Sequence, residues 1–263
     1  MKVETAQLPP FEDSDDKIFV TPNAVIMLDG ASAFMPVPVP AATYAEHLGR
    51  HIAHTLTTAP EADLVEALAE AIKAIADQLD LTPGRSPSST VTIARERDEH
   101  LDLLILGDNV VVLPDQSITD DRIDRLDLEP ARRYRERLTT GCGFDNEHRR
   151  LVRELQRQQA EHRNQPGGYW IAEANPNAAR QALTLTRRIC KTPWAVLATD
   201  GAYNTLNHLR LAPLPIGART ISPPLDELLT QCQRWESEHD PEARKLPRAK
   251  RHDDKSLTRI QIE

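Results

Sequence analysis

Several times along this chain a short apolar run abuts an aspartate. Val25-Ile26-Met27-Leu28 leads into Asp29-Gly30, and Leu103-Leu104-Ile105-Leu106 leads into Gly107-Asp108-Asn109. Ala195-Val196-Leu197-Ala198-Thr199 leads into Asp200-Gly201, and His252-Asp253-Asp254 stands just ahead of the final run, Leu257–Ile262. Apolar runs this short, bounded by Gly, Pro or Asp, have the length of buried strands rather than of helices. A carboxylate at the mouth of such a strand sits on a rigid mount at the edge of the core. Several gathered there repel one another unless a cation neutralises them. Hard oxygen donors without Cys or paired His suit Mg²⁺ or Mn²⁺ rather than zinc or copper. A glycine after the aspartate permits a sharp turn and leaves its carbonyl oxygen accessible. Taken singly, each Asp-Gly pair reads as an ordinary turn; their recurrence after strands is what argues for a site.

The rest of the chain supplies the frame. Residues 1–16 are polar and contain Pro9-Pro10, so an extended N-terminus is expected until Lys17. Two short strands follow, Ile18–Val20 and Ala24–Leu28, and after the Pro-rich stretch Pro36–Pro40 a helix at about 42–57. Leu64, Val65, Leu68, Ile72, Ile75 and Leu79 recur at steps of three and four, the signature of an amphipathic helix, with Pro60 fitting its first turn and Pro83-Gly84 closing the region. From Ser88 the period changes, and Thr90–Arg95, Leu101–Leu106 and Val110–Leu113 read as a meander of strands. Residues 121–163 are charged and helical with a break at Gly141-Cys142-Gly143. Beyond them we expect a strand at Tyr169–Ala172, a helix at Ala178–Leu185, a strand at Trp194–Thr199, a loop from Pro213 to Pro224, a helix at 225–237 and a last strand at Leu257–Ile262. No flexible linker and no internal repeat divides the chain, so one α+β domain over 1–263, with a charged helical insertion at about 121–168, is the simplest reading.

Composition narrows the classes of function. The chain has 263 residues, 40% of them hydrophobic, enough to bury a core and too many for a disordered protein. Its 32 basic and 40 acidic residues leave a net charge of −8, which disfavours nucleic acid and anionic lipid as partners. Basic residues gather in Arg132–Arg137 and Arg149–Arg163, but acids lie among them, as on solvated helix faces. Cys142, Cys190 and Cys232 are widely spaced and form no CxxC pair, so neither a zinc knuckle nor a disulfide framework is suggested, and a reducing cytoplasm is expected. Met1-Lys2-Val3-Glu4 lacks the apolar stretch of a secretory signal, and the longest apolar runs are far too short to cross a bilayer.

The ordered set of acidic motifs resembles the metal-dependent protein phosphatases of the protein phosphatase 2C type. Phe11-Glu12-Asp13 stands where that family has its early Glu-Asp motif, and Val25–Gly30 resembles its first Asp-Gly strand. Pro87–Val91 resembles its Gly-Ser-Thr-type strand start, Gly107-Asp108-Asn109 its Gly-Asp-Ser, and Leu197–Gly201 its Leu-Ala-Thr-Asp-Gly. His252–Ser256 is similar to its final Asp-Asn/Asp-x-Thr/Ser element, and Pro166–Trp170 to the Pro-Gly-Gly-aromatic-Trp segment of a compact bacterial branch. The motifs span nearly the whole chain, from Glu12 to Ile262.

That resemblance implies a four-layer α-β-β-α sandwich of two antiparallel sheets flanked by helices. It implies hydrolysis of phosphoserine and phosphothreonine in a phosphorylated protein substrate, and two Mn²⁺ or Mg²⁺ ions with a weaker third position. Asp29 would bridge the pair, Glu12 and the Gly30 carbonyl would serve one ion, and Asp200 and Asp253 the other. Asp253 is preferred to Asp254 because Ser256 follows it by three. Asp108 would belong to the third position, and Asp29 and Asp200 would be the centre of catalysis. Two close cations lower the pKa of a shared water, which then attacks phosphorus in line. His47, His51 and His54 are candidates for the general acid, with a solvated surface role the better reading for each.

The departures are as informative. The family's upstream phosphate-clamping arginine has no counterpart in Thr5–Pro10, with Lys2 and Arg85 the only substitutes in view, each better read as an ordinary surface cation. Asn204 stands where many relatives have an aspartate, and Asp29-Gly30-Ala31-Ser32 lacks the usual following glycines. Two rival readings therefore stay open: a catalytically weak regulatory or binding module on the same fold, and a hydrolase of small phosphate esters. Ser88, Ser89 and Thr90 read as hydroxyls that satisfy backbone groups at a strand start, since no Gly-x-Ser-x-Gly elbow is present. Trp170 and Trp194 read as core, and Cys190 as a half-buried structural thiol.

Overall fold

The computed structural model describes residues 1–31, 36–211 and 223–262. In chain order the strands are β1 (Lys2–Leu8), β2 (Lys17–Val20), β3 (Ala24–Leu28), β4 (Val91–Arg97), β5 (His100–Leu106), β6 (Val110–Val112), β7 (Ser117–Ile118), β8 (Leu183–Arg188), β9 (Trp194–Ala198) and β10 (Lys255–Gln261). The helices are α1 (Ala41–Thr58), α2 (Leu64–Gln78), α3 (Glu129–Thr139), α4 (Asn146–His162), α5 (Asp200–His208) and α6 (Leu225–Glu238). The strands form two five-stranded sheets, ordered β1-β10-β9-β6-β7 and β2-β3-β4-β5-β8, with every pairing antiparallel.

Strand alternation builds the layers. Side chains of successive strand residues point to opposite faces, so β3 sends Ala24, Ile26 and Leu28 outward to α1 and α2 and sends Val25 and Met27 inward. β9 does the same in the other sheet: Ala195 and Leu197 face Met27, Leu103 and Ile105 across the gap, while Val196 and Ala198 pack beneath α5 and α6. The result is the expected α-β-β-α sandwich. Asp63 caps α2 by accepting from the Val65 and Glu66 amides, so Pro60 lies ahead of the cap rather than in the first turn. The charged segment forms the antiparallel pair α3–α4, closed by its own small core of Tyr134, Leu138, Leu151, Val152 and Ala243. Its charges sit in surface ion pairs such as Arg157 with Glu154 and Glu161.

Several expectations are corrected. The N-terminus is a strand: β1 is largely polar because it is an edge, and it is held by pairing with β10 rather than by burial. The presumed meander is split, with β4–β5 a hairpin of one sheet and β6 crossing to the other. Tyr169–Ala172 makes only isolated bridges, and 178–185 is divided between a 3₁₀ turn at Pro176–Gln181 and β8, an edge strand whose exposed polar residues hide its periodicity. Asp200-Gly201 opens α5 instead of making a simple turn. Of the loop expected from Pro213 to Pro224, residues 213–222 lie outside the described residues. Trp170 and Trp194 are partly buried against the two helix-facing cores, and Cys190 is exposed rather than half-buried. Among the described residues, no helix is long and apolar enough to cross a membrane.

Leu197 is fully buried between the sheets. Leu197→Ala is therefore expected to cost about 2–5 kcal/mol in chemical denaturation, whereas His54→Ala, on the exposed side of α1, stays within about 0.5 kcal/mol.

Candidate metal centre

Strand register brings the acids to one end of the sandwich. Lys17 pairs with Leu28, so Asp16, just before β2, lies beside Asp29, just after β3. In the facing sheet Ala198 pairs with both Leu257 and Val110, which sets Asp200 near Asp253 on one side and Asp108 on the other. Asp108, Asp200 and Asp253 share a cavity of about 390 Å³ with Asp124, Tyr134, Arg135 and Asn204. The carboxylate charges of Asp16, Asp200, Asp253 and Asp108 all act on Asp29.

The backbone around each acid is fixed by hydroxyls. Thr90 Oγ1 accepts from the Asp29 amide at 3.0 Å, and Ser89 Oγ donates to the Asp29 carbonyl at 2.9 Å, the structural role expected for these hydroxyls. Thr199 Oγ1 donates to Asp16 Oδ2 at 3.0 Å and accepts from the Ser256 amide at 3.0 Å, tying β2, β9 and β10 together. The two Asp-Gly glycines work by leaving space. A Cβ on Gly30 would lie 2.6 Å from the Asp15 carbonyl oxygen, and one on Gly201 would lie 2.2 Å from that of Asp254. Neither glycine has positive φ, so close backbone approach, not a sharp turn, is what requires them; Gly107, at φ +90°, is the one that turns the chain.

Burial and mutual repulsion hold the carboxyl groups of Asp16, Asp29, Asp108 and Asp200 above the usual carboxylate range. For Asp29 burial is the largest cause, followed by the charges of Asp16, Asp200, Asp253 and Asp108. Burial likewise raises Asp16, against hydrogen bonds from Ser256 and Thr199, and raises Asp108, which also feels Asp200. Asp200 is raised by burial and by Asp253, and a hydrogen bond with Asp29 and the charge of Lys250 hold part of that rise back.

Among the described residues no three His, Cys, Asp or Glu side chains are gathered tightly enough to hold an ion as they stand. The donor set nonetheless fits a hard divalent cation. Asp16 is only 1% exposed, yet its Oδ1 is buried without a hydrogen-bond partner. A buried carboxylate oxygen left unpaired is costly, and an oxygen-seeking cation is the natural partner for it.

The sequence-predicted residues divide accordingly. Asp29, Asp108, Asp200 and Asp253 come to one place, and Gly30 is buried beside them, its amide donating to the Asp15 carbonyl at 3.2 Å. Glu12 is exposed on the preceding turn, and Asp16 stands in the cluster where Glu12 was expected. The signal for Asp16 was present, since it abuts an apolar strand as the other acids do, while Glu12 does not. Asp254 is used structurally, its Oδ2 accepting from the Asp15 amide at 2.6 Å and from Ser14 Oγ at 3.0 Å.

Two supporting groups had no sequence signal. Fully buried Lys255 donates to the Asp253 carbonyl at 2.9 Å and to Glu236 at 3.0 Å, and Glu236 also accepts from Thr205 Oγ1 at 2.7 Å. Lys250 pairs with Asp253 Oδ1 at 2.5 Å. Burial alone would depress the Lys250 ammonium, but Asp253, Asp29 and Asp254 outweigh it and hold the pKa above the ordinary lysine range.

Of the cations weighed as phosphate clamps, Lys2 pairs with Gln261 at the far end of β1, and Arg85 lines a separate cavity with Ala31 and Arg163. His47, His51 and His54 lie along α1, His47 beside Gln78 of α2, and none of them lines the acidic cavity.

No protein-family model matches the chain, and no curated protein matches it in sequence. Solved structures do match in fold. A serine/threonine phosphatase from Staphylococcus aureus is 10% identical with a TM-score of 0.62, the alignment covering 100% of this chain and 95% of that one. A PPM Ser-Thr phosphatase from Mycobacterium smegmatis, solved with cacodylate, is 15% identical with a TM-score of 0.55, covering 100% and 99%. The catalytic domain of the serine/threonine protein phosphatase PstP, solved with two manganese ions, is 12% identical with a TM-score of 0.53, covering 100% and 98%. The chain thus has the fold of the bacterial PPM-type serine/threonine phosphatases over its whole length.

A carboxyl group whose folded pKa lies above its unfolded value makes the folded state bind the extra proton. Stability therefore falls as pH rises from the unfolded value through the folded one. Asp29→Asn removes the most crowded of these charges. In chelator at pH 7.5 it is expected to raise Tm by roughly 3–6 °C, with the gap over the unmodified chain closing as pH falls toward 5. A difference in Tm that is flat across this range would remove the repulsion argument.

Proposed function

We propose that this protein is a metal-dependent serine/threonine protein phosphatase. The observation that carries the reading is the meeting of Asp16, Asp29, Asp108, Asp200 and Asp253 at one end of a PPM-type sandwich, with a buried Asp16 oxygen unpartnered. On this reading Asp16 and Asp29, with the Gly30 carbonyl, hold one Mn²⁺ or Mg²⁺ and Asp29, Asp200 and Asp253 hold a second. Asp108 serves a weaker third position, whose neighbour Asn204 offers only a neutral oxygen. When bound, such ions activate a water for in-line attack and offset the charge gathering on the phosphoryl oxygens. The chain's own part is to hold the oxygens rigidly and to shield the cavity.

The helical insertion at 121–168 is, in this reading, a flap of the same domain. Tyr134 and Arg135 of α3 line the cavity that holds Asp200, which supports a flap beside the path of a protein substrate. Arg135 is half-exposed, its guanidinium over the Tyr134 ring at 5.8 Å and 3.8 Å from Asp124, and on this reading it turns to a substrate anion. The substrate is taken to be a phosphorylated protein, and the free cysteines agree with a reducing compartment.

Hydrolysis of an aryl phosphate is expected with Mn²⁺ or Mg²⁺ and to cease in chelator, with Asp200→Asn and Asp16→Asn each losing more than about 100-fold. Folded protein without turnover under any metal would favour the regulatory-module reading. A preference for small phosphate esters over phosphopeptides would favour the metabolite hydrolase. Arg135→Ala is expected to raise KM for a phosphopeptide several-fold while leaving the Mn²⁺ requirement unchanged; equal kinetics would remove the flap from substrate recognition.

A further inference from the structure

The acidic centre carries a cation of its own. Lys250 lies in the segment between α6 and β10, and its Nζ is 2.5 Å from Asp253 Oδ1, an oxygen that also accepts from the Asp254 amide at 3.0 Å. The same ammonium acts on Asp29 and Asp254, and on Asp200 and Asp15. The backbone on either side is held firmly. Arg248 is locked to Asp240 by its guanidinium at 2.9 Å, and Lys255 is locked to Glu236 and to the Asp253 carbonyl. The Lys250 side chain itself remains 32% exposed. Its long stem can swing out while the loop stays in place.

From this arrangement we infer that Lys250 is a resident counter-ion that competes with the second divalent cation for Asp253. A divalent ion sharing the Asp253 carboxylate would stand within a few ångströms of the ammonium, and like charges at that separation repel strongly in a half-buried site. The ammonium must therefore leave Asp253 before the second ion binds well. The first ion, held from the Asp16 and Asp29 side, shares no hydrogen-bonded carboxylate with the ammonium and so feels it less. The chain thus binds its two ions unequally, and Lys250 sets the gap. The inference rests on the two-ion reading above.

The test is Mn²⁺ binding followed by the electron paramagnetic resonance of free Mn²⁺, with the full chain, Lys250→Met and Lys250→Arg at one pH and ionic strength. The full chain is expected to show a tight and a weak step. Lys250→Met should tighten the weak step by ~10-fold or more and lower the Tm measured in chelator, because the acids lose their counter-ion. Lys250→Arg keeps the charge and should stay within about twofold of the unmodified chain. Should Lys250→Met fail to fold, Lys250→Gln makes the same comparison. Weak steps that coincide within about twofold between folded Lys250→Met and the unmodified chain would overturn the competition and leave the metal centre standing. The absence of Mn²⁺ binding in every variant would instead overturn the metal centre and the competition together.

Discussion

Like charges held close in a poorly solvated place raise the free energy of the chain that holds them, and here Asp16, Asp29, Asp108, Asp200 and Asp253 are held that way. A loop would relax by letting them drift apart. The sandwich prevents this because each acid is tied to the end of a strand, and each strand is packed on both faces. β3 has α1 and α2 on one side and β9 on the other; β9 has β3 on one side and α5 and α6 on the other. Separating the acids would mean shifting a strand out of two cores at once. The tightness of the three apolar cores is what makes an electrostatically unfavourable cluster persistent.

The polar contacts around the cluster do a different job, because they decide direction rather than distance. Ser89, Thr90 and Thr199 bind backbone or carboxylate atoms next to Asp29 and Asp16, and Ser256 joins Thr199 across β9 and β10. Gly30 and Gly201 remove the side-chain atoms that would otherwise push the 15–16 and 253–254 segments away. Glu236, itself 1% exposed, organises the far side by binding Lys255, Thr205 and His252. Each of these residues touches a group that carries an acid, and together they leave Asp16 Oδ1 pointing at no protein donor. A buried carboxylate oxygen left so, beside hydroxyls that are all engaged, marks where a ligand from outside the chain belongs.

How far the sequence revealed this depends on which physical signal each element leaves. β3, β5 and β9 are buried on both faces and so read as continuous apolar runs, and α2 keeps one clean apolar stripe. These elements, and the acids at their ends, were legible. β1 and β8 are sheet edges with exposed polar positions, where pairing rather than burial makes the strand, and such strands leave almost no pattern. α5 was masked because Asp-Gly is locally a turn signal, overridden here by Ala202 and Leu206 packing onto the outer sheet face. Asp16 and Glu12 are hard to tell apart in the sequence because two acidic pairs lie close together, and only the pairing of Lys17 with Leu28 singles out the one that is fixed beside Asp29. Lys250 and Lys255 left no trace, since a lysine in a basic stretch reads as solvated until the fold folds it back on an aspartate.

The same geometry bears on where positive charge is found. Upstream of β2 no basic residue occupies Thr5–Pro10, and the cations that do reach the acids come from the C-terminal side of the chain and from α3. Arg248, which also lines the cavity, is spent on Asp240 and on the Arg251 and Leu246 carbonyls, so its role is to shape the 240–251 loop. Lys250 is engaged with an acid of the centre, and Arg135 lies exposed over the Tyr134 ring, 3.8 Å from Asp124. The positive charges near the acids thus fall into three kinds: one structural, one bound to the centre and one exposed at the cavity rim. Only the last two are placed to respond to what approaches the centre, the arginine from the rim and the lysine from beside Asp253. Of the two, the arginine of α3 is the more exposed and the lysine is already paired with a carboxylate, so an anionic group is drawn first to the arginine.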